Sequence, residues 1–159
     1  MGVRSYRATR NIDAPSSTVW ALLVDAGSYA DWNRAVISIQ GKIEEGGSIE
    51  LVSIANPKRT FKLEVTEMTA PHRMVWSDGM PLGLFRGRRT YTIADRDQCS
   101  EFTMVEEFTG PLAGLITKAI PDLTDSFTAF ADSIQVAAES RARAERPPSR
   151  SSDPVPPAE

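Results

Sequence analysis

Along residues 3–13 apolar and polar positions alternate: Tyr6, Ala8 and Ile12 fall on one side, Ser5, Arg7, Thr9 and Asn11 on the other. A period of two predicts a half-buried strand. Arg10 is the one charge on the apolar side. The period then lengthens. Val19, Leu22, Leu23 and Ala26 recur at helical spacing behind Pro15, which suits a first helical turn. Ser16 or Ser17 is placed to cap free amides, and Gly27 is a stop signal. Tyr29 and Trp32 predict a short second helix or turn ahead of Asn33.

A run of short strands follows. Residues 36–42 lead into the turn Glu44-Glu45-Gly46-Gly47, and residues 48–55 end at Asn56-Pro57. In residues 60–69, Phe61, Leu63 and Val65 alternate with Lys62, Glu64 and Thr66. Residues 70–73 turn the chain, and residues 74–78 form a strand carrying Trp76. Two long strands, 84–94 and 100–110, flank the polar turn Asp95-Arg96-Asp97-Gln98. Short polar turns between consecutive strands predict antiparallel neighbours. Residues 112–120 read as a short helical piece, interrupted at Pro121, which lacks a backbone donor. Leu123, Phe127, Phe130, Ile134 and Ala138 then trace an apolar stripe on a helix reaching about residue 143, with Asp125, Asp132, Gln135 and Glu139 opposite. Residues 144–159 are rich in proline and serine, a composition too poor in apolar groups to offset ordering entropy. The expected organisation is one domain over residues 1–143 and a flexible tail over 144–159.

The two long strands carry the site argument. Phe85, Gly87, Arg89, Tyr91 and Ile93 share a face, as do Phe102, Met104, Glu106 and Phe108. These faces hold most of the large apolar residues and should meet the helix. A hairpin centred between Asp97 and Gln98 pairs Ile93 with Phe102, Tyr91 with Met104 and Arg89 with Glu106, and sets Arg88 opposite Glu107 on the outer face. Arg89 and Glu106 therefore lie inside. As a structural ion pair they neutralise each other; as a polar anchor they orient a ligand's carbonyl, hydroxyl or carboxylate. The two roles are compatible.

Composition narrows the classes. A 159-residue chain with a formal net charge of −3 lacks the basic stripe of a nucleic-acid binder. Cys99 is the single cysteine, so no intramolecular disulfide forms, and a reducing cytoplasm is the expected compartment. No apolar run is long enough to span a bilayer. One histidine and one cysteine far apart make no metal shell, and neither a partnered nucleophile nor a phosphate-cradling glycine loop is present. No metal or cofactor is expected. His72, beside Pro71 in a turn, is expected exposed and idle, and Cys99 an ordinary thiol.

The layout of one strand, two helices, six strands and a long last helix resembles the helix-grip superfamily of START domains, birch-pollen allergens and polyketide cyclases. IDAPSSTVWALLVDAGSYADWN resembles the family's opening, through Val19-Trp20 and Tyr29 to Trp32-Asn33. MVWSDG resembles its Trp-x-x-Gly strand. EFTMVEEFTGPL resembles the last strand of the polyketide-cyclase and dehydrase-like branch, matching at Phe102, Glu106, Phe108 and Gly110. The resemblance covers residues 3–143. It implies an α+β fold: a seven-stranded curved antiparallel sheet wrapped around a long C-terminal helix, with two short helices after the first strand. In that branch the last strand often carries a histidine two positions before the glutamate, and the preceding strand another. Here those positions hold Met104 and Arg89, so the sequence gives little support to acid–base chemistry by histidine.

The expected function is binding of a small hydrophobic or aromatic molecule (a lipid, polyketide or aromatic metabolite) between sheet and helix. Trp76, Phe85, Tyr91, Met104 and Phe127 are the expected walls, with Arg89 and Glu106 as anchor. One alternative is a cyclase or dehydrase that moves protons through Glu106 and Tyr91. Another is a regulatory module acting through the exposed sheet or the tail.

Overall fold

The structure, a computed structural model, describes residues 4–146. Seven antiparallel strands form one sheet in the order β1-β7-β6-β5-β4-β3-β2: β1 Arg4–Ile12, β2 Val36–Gly41, β3 Ser48–Ser53, β4 Phe61–Thr69, β5 Arg73–Gly79, β6 Arg86–Arg96 and β7 Cys99–Thr109. The helices are α1 Ser16–Leu23, α2 Tyr29–Trp32, α3 Ala113–Ile116 and α4 Thr124–Glu145. The sheet grips α4, which packs on β1, β7, α1 and α2. This is the helix-grip architecture expected above. No helix among the described residues is long and apolar enough to cross a membrane.

Strand parity and register follow the sequence pattern. β6 and β7 pair Ile93 with Phe102, Tyr91 with Met104, Arg89 with Glu106 and Arg88 with Glu107. Arg96 opposite Cys99 leaves Asp97-Gln98 as a two-residue turn, with Asp97 at φ 56°. Arg10, the blemish in β1, sits on the inner side but reaches past the core to Asp132 on α4, Nε to Oδ1 2.8 Å. The helix thereby takes up a charge that would otherwise face apolar neighbours.

The departures lie at element ends. Neither Ser16 nor Ser17 caps α1; Pro15 occupies the cap position. The helix ends at Leu23, well before Gly27, which lies in a 3-10 turn over residues 26–28. β6 begins at Arg86, not 84, because residues 81–83 form a 3-10 turn. α4 starts beyond Pro121, where the Asp122 carboxylate accepts from the Thr124 amide at 2.9 Å and its hydroxyl at 2.6 Å. It also runs to Glu145, two residues past the expected end, and Arg146 binds Asp13 at 3.2 Å. The remainder of the predicted tail, residues 147–159, lies outside the described residues.

The core has two parts. The larger fills the space under α4, with Trp76, Tyr91, Phe102, Met104, Phe130 and Ile134 at most 1 % exposed. The smaller gathers Phe85, Phe108 and Ala113 with Ile116, Ile120 and Leu123, and closes the far end of the sheet. Gly110 makes that closure feasible: at φ 106° it brings the chain so near the Leu84 carbonyl that a Cβ would stand 2.6 Å from the oxygen.

Candidate functional site

Between the two parts of the core lies a cavity of about 130 Å³. Its walls are mostly apolar: Leu51, Phe61 and Leu63 from the far side of the sheet, Trp76 from β5, Phe85 and Phe108 from the smaller core, and Ile116, Ile120 and Leu123 from the segment before α4. Arg89, Glu106 and Asp78 supply the charge inside it, and Asn56 and Arg59 stand among its remaining polar neighbours.

The anchor is built from β6 and β7. Arg89 donates from Nε to Glu106 Oε2 at 2.7 Å. Its guanidinium carbon also lies 4.8 Å from the Phe127 ring centre, a cation–π contact from α4. Burial opposes the Arg89 charge, but Glu106 and Tyr91 outweigh it and hold the guanidinium firmly protonated. Burial pushes the Tyr91 phenol well above its ordinary range, with Arg89 only partly opposing. Glu106 is thus an acceptor tied to a fixed cation, and Tyr91 a neutral phenol.

Asp78 completes the polar group. On β5 it is two residues beyond Trp76 and therefore shares its face, opposite Gly87 on β6. The space it occupies exists because residue 87 has no side chain: a Cβ there would stand 2.7 Å from Asp78 Oδ1 and 3.4 Å from the Phe108 ring. Burial raises the Asp78 carboxyl above the ordinary carboxylate range and the Glu106 charge adds to this, with Arg59 and Arg89 opposing. The two carboxyl groups therefore sit in different surroundings: Glu106 is bound to its arginine, whereas burial disfavours the charged form of Asp78.

Of the expected site residues, Trp76, Phe85, Arg89 and Glu106 border the cavity, whereas Tyr91, Met104 and Phe127 do not. The reason is packing. Tyr91 stands edge-on to Trp76 with ring centres 4.9 Å apart and 5.5 Å from Phe130, and Met104 is fully buried opposite Tyr91 and Ala8. Phe127 is spent on Arg89 and on Tyr6, whose ring centre is 5.8 Å away. All three face inward as strand and helix periodicity require, but behind the walls. Asp78 was absent from the expected site, although its parity with Trp76 was a usable signal. The lining from residues 51–63 and 116–123 depends on how the sheet curls, which no local pattern carries.

The cavity has an outlet. The β4–β5 ladder ends at Glu64 with Ser77, so residues 61–63 stay with β3 while residues 78 and 79 stay with β6. An open groove at this split shares Arg59, Phe61, Leu63, Asp78, Phe85 and Ile116 with the cavity. Elsewhere, His72 is exposed as expected and bonds Asp95 at 2.7 Å, and Cys99 faces Asp13 at 3.4 Å. Among the described residues no group of three His, Cys, Asp or Glu side chains could hold a metal ion. The outer sheet face is charged, with Glu67 bridging Arg73 and Arg88 at 3.2 and 3.4 Å.

A family model described as polyketide cyclase / dehydrase and lipid transport matches residues 4–139. Among solved structures, the chain is similar to the Zhui aromatase/cyclase from Streptomyces sp. R1128, with 17 % identity and a TM-score of 0.70 over 90 % of this chain and 98 % of that one. A norcoclaurine synthase point mutant from Thalictrum flavum, in complex with a transition-state analogue, matches at 12 % identity and a TM-score of 0.66 over 88 % and 97 % of the two chains. A protein from Mesorhizobium loti matches at 13 % identity and a TM-score of 0.65 over 86 % and 98 %. At such identities these structures speak for the fold. No curated protein gives a significant match.

Proposed function

Since the chain belongs to the polyketide cyclase / dehydrase and lipid transport family, we propose that its cavity binds a small apolar or aromatic molecule bearing an oxygen function. The observation that carries this reading is the cavity itself: about 130 Å³ of mostly apolar space with Arg89, Glu106 and Asp78 at its polar patch. That volume is near the roughly 150 Å³ that accommodates a benzene ring. A larger ligand keeps one ring or short chain inside and extends into the groove. The indole N–H of Trp76, which walls the cavity, is buried with no partner among the described residues. A donor left over beside an apolar cavity favours a ligand that brings an acceptor.

Asp78 favours a second reading, an enzyme of cyclase or dehydrase type. A carboxyl with a raised pKa next to a fixed Arg–Glu pair is suited to give a proton to a carbonyl or hydroxyl and take one back. On this reading Asp78, rather than Tyr91, is the proton-carrying partner of the Glu106 region, because Tyr91 lies outside the cavity and its phenol is held neutral.

Native mass spectrometry of protein purified from its own source tests the binding reading by detecting a retained small molecule. The retained molecule, once identified, is then incubated with wild-type protein and with Asp78→Asn. Binding by both with no conversion by either supports a carrier. Conversion by wild type that the variant loses supports the enzyme. Failure of any apolar candidate to bind the folded protein sinks both.

A further inference from the structure

We propose that the rim of the cavity mouth is a docking surface for an anionic membrane, with exposed leucines entering the interface and the cations of the neighbouring loops facing the lipid headgroups. The apolar part comes from two segments beside the mouth. Leu82 is 96 % exposed, Leu115 68 %, Met80 44 % and Leu84 37 %. Leu82 and Leu84 belong to the β5–β6 connection and Leu115 to α3. The two segments are tied together by the Leu112 amide donating to the Leu84 carbonyl at 2.9 Å. Leu82 also holds φ 63°, a left-handed conformation that a branched side chain rarely adopts. A strained and nearly fully exposed leucine contributes nothing to the core, so its reason lies outside the chain.

The charge pattern identifies the partner. Residues 54–60, 79–86 and 110–121 supply the loops that border the cavity. These loops contain Lys58, Arg59, Arg86 and Lys118 and no aspartate or glutamate, in a chain whose formal net charge is −3; the acidic residues of the groove, Glu50, Glu64 and Asp78, lie on the strands behind them. Exposed leucines and cations on the same set of loops are the two-signal combination that holds proteins on anionic bilayers, one signal alone being weak. A protein partner fits less well, because interface hot spots favour Trp, Tyr and Arg over Leu, and interfaces are depleted in Lys. No exposed aromatic belongs to the rim. With no described helix able to span a bilayer, this contact is peripheral. The surface stands on exposed side chains alone, independent of what the cavity holds. If the cavity does hold an apolar ligand, docking aims its mouth at the lipid phase.

The test is co-sedimentation of the full chain with phosphatidylcholine vesicles, with and without phosphatidylglycerol. Binding is expected to the anionic vesicles, to weaken in high salt, and to be much lower on neutral ones. The pair Leu82→Asp and Leu115→Asp should lower partitioning about tenfold or more, since each leucine gives up its apolar contact. Lys58→Glu with Lys118→Glu should lower it by a similar factor, at roughly fivefold or more per cation. These four side chains are exposed and do not border the cavity, so circular dichroism and melting should be unchanged in both variants. Absence of binding to anionic vesicles overturns the proposal, even if a soluble acidic protein is captured. So does equal binding to neutral vesicles, or equal binding by folded variants.

Discussion

Arg89 and Glu106 are 19 % and 13 % exposed, so each charge depends on the other for much of what water would have supplied. Removing one partner leaves the other stranded beside an apolar cavity. Arg89→Met and Glu106→Leu are each expected to cost roughly 3 kcal/mol in urea denaturation, while the double variant recovers much of the loss. Arg88, opposite Glu107 on the outer face and bonded to Glu67, is 44 % exposed, and its removal should cost about 0–1 kcal/mol. Simple additivity of the Arg89 and Glu106 losses would show that the two are not energetic partners.

Asp78 makes a prediction of opposite character. Its carboxyl has a raised pKa in the folded chain, with burial as the first cause and the Glu106 charge as the second. Between the ordinary carboxylate value and that raised value, the folded state binds more protons than the unfolded state. Stability from this group is therefore complete at the acid end of the window and falls as pH rises through it. Asp78→Asn removes the titration. Denaturation midpoints measured across the acid range should show wild type losing stability relative to the variant as pH rises. If wild type instead gains on the variant, Asp78 is stabilised as a carboxylate and the proton-holding role is wrong.

At the scale of elements, β5 and β6 act as a pair whose spacing sets the polar end of the cavity. Gly87 is the control point, since it leaves Asp78 its room. In Gly87→Ala the Cβ meets the end of the Asp78 side chain and the Phe108 ring edge, not backbone. The strand should therefore persist with a modest loss of stability while Asp78 is pushed aside and ligand affinity falls. Gly110→Ala behaves differently, because its Cβ meets the Leu84 and Gly83 carbonyls at a left-handed position. It should destabilise the whole mouth region, read as a lower melting temperature and faster proteolysis there. The elements themselves were legible because each follows a short period: parity on β6 and β7 placed Arg89 against Glu106, and the stripe from Leu123 to Ala138 placed α4. What stayed illegible needed tertiary information. Parity puts Tyr91, Met104 and Trp76 equally inside, and only the packing of Phe130 and Phe127 decides that Trp76 borders space while the others border side chains. Asp78 had the same parity as Trp76 on the expected strand 74–78, but the room it occupies beside Gly87 is set by packing, and the groove depends on where the β4–β5 ladder stops.

At the scale of the molecule, the cavity divides a larger core under α4 from a smaller one around Phe85 and Phe108. Empty space at that position leaves wall atoms without contacts on one side, so filling it adds interactions that only the folded state can make. A ligand at a hundred times its dissociation constant adds about 2.7 kcal/mol to stability. For a chain of 159 residues that corresponds to a rise in melting temperature of roughly 5–10 °C. A series of oxygen-bearing compounds, from one ring to a ring with an alkyl extension, should give a shift for the single rings. The shift should persist as the extension passes between β4 and β5. Trp76 borders the cavity, so its emission should respond in a Trp20→Phe, Trp32→Phe background. Phe85→Trp, which fills space where cavity and groove meet, should abolish the response to single rings while the protein still melts cooperatively. A shift that survives in Phe85→Trp would place the binding site elsewhere on the molecule.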